Sequence, residues 1–163
     1  MEEIRPLANA DEAKRCAEMM CATDPWITLG RTYDQCLTVV ETPDQEAYVS
    51  ADGAQILGFI LLVMRGAFTG YIRSICVDAQ ARGRGVGSRL VEFAEQRIFR
   101  ETPNVFLCVS SFNPRARALY ERLGYELIGE LKNYIVDGAS EFLMRKTIGP
   151  LRPRPRLLER RQT

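Results

Sequence analysis

The sequence contains no histidine. Any proton transfer it performs must use Asp, Glu, Tyr, Cys, Lys, backbone groups or water. The usual zinc-ligand sets are excluded as well, apart from all-thiolate or carboxylate ones. The five cysteines (Cys16, Cys21, Cys36, Cys76, Cys108) are odd in number and form no C-x-x-C pair. They point to free thiols in a reducing cytoplasm, with no metal site. Long apolar runs are absent too. The longest, Ile56 to Met64, is broken by Gly58 and falls far short of a bilayer span. Met1-Glu2-Glu3 is acidic where a signal peptide would be basic. A cytoplasmic protein with no membrane partner is expected.

A basic surface for nucleic acid is also missing. Five of the 22 basic residues, but one of the 21 acidic ones, lie in the stretch Pro150–Thr163, so the rest of the chain holds 17 against 20. A mildly acidic body offers no electrostatic footprint for a polyanion. The stretch 150–163, rich in Arg and Pro, has little to bury and is expected to be an extended or disordered tail. The preceding 149 residues are enough for one domain with a full core.

What is present is an alternation of strand and helix patterns. Ile4–Leu7 reads as a short edge strand, since Pro6 lacks a ladder donor. Asn9 or Asp11 caps a helix to about Met20, and Thr32 starts a second one running to about Val40. Gln45–Ser50 and Gln55–Met64 read as strands around Asp52-Gly53, a hairpin signal. Tyr71–Val77 is a fourth strand. Val86, Leu90, Phe93, Ala94, Arg97 and Ile98 fall at helical spacing. Val105–Val109 is a fifth strand. Asn113-Pro114 opens a further helix that Gly124 closes. Tyr125–Tyr134 and Ala139–Lys146 form a last hairpin over Asp137-Gly138. This order predicts an α/β domain with a mixed sheet.

The segment Arg82-Gly83-Arg84-Gly85-Val86-Gly87 lies between the fourth strand and a long helix. Backbone N–H groups converge at such a helix start, the helix dipole adds positive charge, and glycine lets an anion approach. A pyrophosphate suits it. No Gly-Lys-Ser/Thr follows, and the third glycine comes one residue too early for the dinucleotide fingerprint.

In context the segment resembles the GNAT acetyltransferase superfamily. Val77-Asp78 is followed by the Arg82–Gly87 pattern, and a second signature appears as Asn113, Ala116, Leu119-Tyr120 and Gly124-Tyr125. The element order matches across roughly Ile4 to Lys146. The Pro25-Trp26 loop and motif spacing are similar to those of ribosomal-protein-alanine acetyltransferases. The resemblance implies a mixed, mostly antiparallel central sheet flanked by about four helices, and acetyl-CoA as co-substrate. It implies that the backbone of Ile75, Cys76 and Val77 pairs with pantetheine and that Arg82, Gly83, Arg84, Gly85, Val86, Gly87 and Ser88 hold the pyrophosphate. Asn113 would touch the cofactor, although Asn before Pro is also a good helix cap. Tyr120 would be the general acid that protonates the departing thiolate. Trp26, Tyr33 and Tyr134 lie in the two segments that flank the acceptor groove, and homodimers occur in the superfamily.

The general base is not identified. Where the ribosomal-protein acetyltransferases carry Glu five residues before the asparagine, this chain has Cys108. Where histone-type relatives carry Glu near the start of the fourth strand, it has Tyr71. Asp24, Asp34, Glu41 and Glu46 are remote candidates. A lysine of pKa ~10.4 is only about 0.1% neutral near pH 7.5, costing roughly 4 kcal/mol, while an α-amine near 7.8 costs less than ~1 kcal/mol. A terminal α-amine, or another amine of low pKa, is therefore expected as the acceptor. A small-molecule amine acetyltransferase and a non-catalytic acyl-CoA sensor are the alternatives.

Overall fold

The computed structural model of the chain describes residues 1–153, so the tail expected over 150–163 lies, from residue 154 onward, outside the described residues. The elements follow in the order β1 (Glu2–Pro6), α1 (Ala10–Cys21), α2 (Tyr33–Val40), β2 (Glu46–Asp52), β3 (Gln55–Val63) and β4 (Tyr71–Val77). After a 3-10 turn at Ala79–Ala81 come α3 (Val86–Ile98), β5 (Asn104–Ser110), α4 (Pro114–Arg122), β6 (Glu126–Lys132) and β7 (Ser140–Thr147). The expected α/β order is present throughout. The 3-10 turn is an addition, capped by Asp78, whose Oδ1 accepts from Gln80 N.

Local chemistry sets most boundaries. The Asn9 side chain accepts from the N–H groups of Asp11 and Glu12 and so starts α1. Thr32 and Gln35 form a reciprocal capping box at α2. Pro114 takes the first turn of α4 behind the Asn113 cap, and Gly124, at φ 90°, follows its end. Several strand ends shift by one or two residues from expectation, and two of the shifts have a clear local cause. A bulge between Ser50 and Ala51 lets β2 run on to Asp52, so the tight turn falls on Gly53-Ala54. Asn133, in the left-handed region at φ 53°, ends β6 at Lys132 and puts Tyr134 in the connecting turn.

Seven strands make one sheet in the order β1-β2-β3-β4-β5-β7-β6. Every adjacent pair is antiparallel except β4 and β5, which are parallel. The last strand thus inserts between β5 and β6. One face packs Leu57, Ile60, Leu62, Val105, Leu107 and Met144 against Leu90, Val91, Ala94 and Ile98 of α3. The other packs Val49, Phe59 and Leu61 against Cys16, Met20 and Cys36 of α1 and α2. Strand β3 contributes to both layers, which explains its near-continuous apolar run. Each such buried Leu, Ile or Phe stabilises the fold by about 1.5–3 kcal/mol. Among the described residues, no helix is long and apolar enough to cross a membrane.

Candidate active site

The site begins with a defect in the sheet. Strands β4 and β5 register only at Tyr71 with Phe106 and Ile72 with Leu107. Strand β4 stays paired to β3 as far as Val77, and β5 to β7 as far as Ser110. The two strands therefore part, and among the described residues the backbone groups of β4 that face the gap have no strand partner beyond Ile72. A cavity of about 180 Å³ occupies the opening. Its walls are Tyr71 to Ile75 of β4, Leu107 to Ser110 of β5, and Asn113, Ala116 and Tyr120 from α4 and its cap. The α1–α2 connection adds Asp24, Pro25, Trp26 and Leu29, and the last hairpin adds Tyr134, Ile135 and Glu141.

Ile75, Cys76 and Val77 lie on the diverging part of β4. The Cys76 thiol turns into the α1 layer, where burial pushes its pKa up to about 12, so its backbone rather than its sulfur is available. From Val77 the chain runs through the 3-10 turn into Arg82–Gly85. Gly83 and Gly85 both have positive φ, 77° and 78°, which L side chains rarely adopt. Gly85 is the N-cap of α3 and offers no side-chain hydrogen bond, so the first N–H groups of the helix, from Val86, Gly87 and Ser88, have no side-chain cap. A Cβ on Gly87 would meet Val77 and Leu119 only at ordinary contact distance.

The arginines around this loop are not equivalent. Arg89 is held by Glu2 (Nη2 to Oε1 2.6 Å) and by the Arg84 carbonyl. Arg82 donates to the Thr23 hydroxyl at 3.2 Å, tying the loop to the α1–α2 connection. Arg15 pairs with Asp78 at 2.6 Å, which anchors α1 to the end of β4. Arg84 is exposed. A helix start of 13 residues, two left-handed glycines and exposed cationic side chains suit a pyrophosphate.

Asn113 does cap α4, its Oδ1 accepting from Ala116 N at 3.3 Å. It also lines the cavity. Tyr120 is 5% exposed, packs edge-on to Tyr125, and also lines the cavity. Burial raises its pKa above the usual phenol value, so it holds its proton throughout the physiological range. Trp26 and Tyr134 reach the cavity wall. Tyr33, the first residue of α2, instead packs against the α1–α2 layer and is not among the lining residues.

The remote carboxylates separate cleanly. Asp24 reaches the cavity but accepts from the Thr28 N–H and hydroxyl. Asp34 and Glu41 sit at the two ends of α2, and Glu46 pairs with Arg97. None of those three lines the cavity. The carboxylate that the sequence reading did not weigh is Glu141. It is 5% exposed, lines the cavity, and accepts a 2.5 Å hydrogen bond from the Ser110 hydroxyl on β5. Burial raises its pKa and the Ser110 bond partly offsets this. Beside it lie Tyr71 and Cys108, with both pKa values raised mainly by burial. The only local signal for Glu141 was its place in a strand pattern, and strand alternation alone names no partner.

The family model for GNAT acetyltransferases matches residues 10–125. This chain belongs to the GNAT acetyltransferase family. It is similar to the N-alpha-acetyltransferase RimI of Mycobacterium tuberculosis, at 29% identity over 154 residues, covering 90% of this chain and 92% of the relative. It is also similar to an N-alpha-acetyltransferase of Sulfurisphaera tokodaii, at 27% identity over 134 residues, covering 72% and 80%. Its fold is similar to that of an aminoglycoside 6'-N-acetyltransferase complexed with coenzyme A, with TM-score 0.75, 22% identity, and 93% and 99% of the two chains covered. As a GNAT member it is an N-acetyltransferase, and acetyl-CoA is its acetyl donor.

Proposed function

We propose that this GNAT enzyme acetylates the terminal α-amine of a peptide or protein, with Tyr120 as the general acid. The observation that carries the choice of acceptor is the set of titratable groups on the cavity wall. Among the described residues lining it there is no lysine, and the chain has no histidine. Of the lining groups, the phenols of Tyr71 and Tyr120 and the thiol of Cys108 are pushed upward by burial, so they stay protonated near neutrality. What is left for accepting a proton is a carboxylate. Stripping a lysine ammonium near pH 7.5 would cost roughly 4 kcal/mol, and an α-ammonium less than ~1 kcal/mol. The similarity to N-alpha-acetyltransferases over most of the chain supports the same reading.

Each part of the chain then has a task. The free N–H groups at Val86, Gly87 and Ser88, with Arg82, Gly83, Arg84 and Gly85, hold the pyrophosphate of the acetyl donor. The open backbone edge at Ile75, Cys76 and Val77 aligns its pantetheine arm, and the Asn113 side-chain amide, whose Oδ1 is used as a cap, has N–H donors left for it. Trp26 and Tyr134, from two different connections, border the acceptor's entry. The neutral amine attacks the thioester carbonyl and Tyr120 donates its proton to the leaving sulfur.

The test is coenzyme A release against a panel of N-terminally free peptides, N-terminally blocked lysine peptides, polyamines and aminoglycosides, with Tyr120→Phe as control. Preference for free N-termini is expected. Preference for lysine side chains or aminoglycosides would overturn the acceptor assignment.

A further inference from the structure

We propose that Glu141 is the general base of this enzyme, held in place and tuned by Ser110. The inference rests on the acetyl transfer proposed above but not on which amine accepts it. Three features of the site support it. Glu141 combines burial with a position on the cavity wall, whereas Asp24, the other carboxylate there, is engaged by Thr28. Its fixed hydrogen-bond partner is neutral: the Ser110 hydroxyl donates to Oε1 across the β5–β7 ladder. A carboxylate with a neutral partner keeps its affinity for a proton, where a paired arginine would suppress it. Its surroundings are also short of charge. Tyr71 lies near it from β4 and Cys108 and Ser110 from β5, while Tyr134, from the connection after β6, shares the cavity wall. Strand β6 places Leu131 opposite it. Arg73 and Asp24 share the cavity, but Arg73 donates to Gln45.

The step balances without any further reactant. A proton leaves the attacking amine for a Glu141 oxygen as the bond from nitrogen to the carbonyl carbon forms. The carbon–sulfur bond breaks, and the sulfur takes the Tyr120 proton. Glu141 then releases its proton to water and Tyr120 regains one, so the products are the amide and free thiol. Burial raises the affinity of Glu141 for a proton toward that of an α-amine, which narrows the mismatch a normal carboxylate would face.

The experiment is the pH dependence of kcat with saturating acetyl-CoA and acceptor, for wild type, E141Q and S110A, together with carbon-13 NMR titration of Glu141 in the intact chain. In the wild type kcat should rise with pH along an acid limb. E141Q should lose that limb and about 100-fold in kcat, the lower range of general-base contributions, while the acetyl-CoA KM is unchanged. S110A should keep the limb but move it, and the NMR titration, to higher pH, because the hydroxyl that favoured the carboxylate is gone. A purely structural role for Ser110 would leave both midpoints in place. Retention of kcat and the limb in E141Q, or a Glu141 that titrates in the ordinary carboxylate range, overturns the proposal. Failure of the wild type with every peptide would instead strike at the acceptor reading, because the NMR titration requires no turnover. In that case a raised Glu141 midpoint that S110A raises further still supports the base.

Discussion

Ser110 on β5 and Glu141 on β7 face each other in register, and the Ser110 hydroxyl donates to Glu141 Oε1 at 2.5 Å. Both residues are buried, at 4% and 5% exposure, on the wall of the cavity that also holds Tyr120. A buried carboxylate whose side-chain support among the described residues is one hydroxyl is an uncommon feature of a stable core, because burial penalises its charged form. From β7, next to β5, it reaches the wall of the cavity that opens where β4 and β5 part.

That strain has a thermodynamic consequence. The folded pKa of Glu141 is raised above its unfolded value of about 4.3. The folded state therefore binds more protons than the unfolded state between those two pKa values, and stability falls as pH rises through that window. E141Q keeps an acceptor oxygen for Ser110 and removes the charge. It should melt at a higher temperature than wild type at pH 8, and the difference should vanish below about pH 4, where both chains are neutral at this position. Differential scanning calorimetry across the range checks this. A pH-independent offset would contradict it.

Tyr120→Phe removes the phenolic proton with little change in shape. An acetyl-CoA KM close to wild type and a kcat lower by about 100-fold are expected. Because burial raises the phenol's pKa, wild-type activity should show no decline from this group up to at least about pH 10. Steady-state rates with a fixed peptide acceptor measure both quantities. An alkaline limb near pH 8 that disappears in the variant would assign Tyr120 a different role.

Two glycines in the sheet should respond differently to alanine. A Cβ on Gly58 would sit 2.7 Å from the Cys76 carbonyl and 3.1 Å from Leu90, where β3 meets both β4 and α3. Gly58→Ala should destabilise by about 1–3 kcal/mol, the usual cost of overpacking. On edge strand β6, a Cβ on Gly129 would meet nothing within 4 Å, and Gly129→Ala should be close to neutral. Urea unfolding at constant pH compares them. Equal losses would mean that close packing at Gly58 is not what limits the site.

Much of this molecule was legible because its signals are local. Asn9, Thr32 and Asn113-Pro114 announce helix starts through side-chain caps a few residues long. The Arg82–Gly87 loop was legible for the same reason, since Gly83 and Gly85 adopt the positive φ that their identity permits. Less legible was the role split among neighbouring arginines. Arg89 follows the glycine loop directly, yet Glu2, distant in sequence, binds it. Tyr33 and Trp26 lie seven residues apart in the same aromatic-bearing segment, but only Trp26 reaches the cavity, because Tyr33 is turned into the α1–α2 layer at the start of a helix.

The order of elements, the phosphate-type loop and the position of Tyr120 after Asn113 were determined by the sequence alone, since caps, glycines and periodic apolar residues act over one or two turns. The tertiary structure decided where the sheet opens and which carboxylate stands there. Strand β7 crosses back to pair with β5, bringing together two residues 31 positions apart. Such pairing depends on sheet order and register, which no short stretch of sequence encodes. Burial then changes the chemistry of Glu141, and burial is a property of the packed fold.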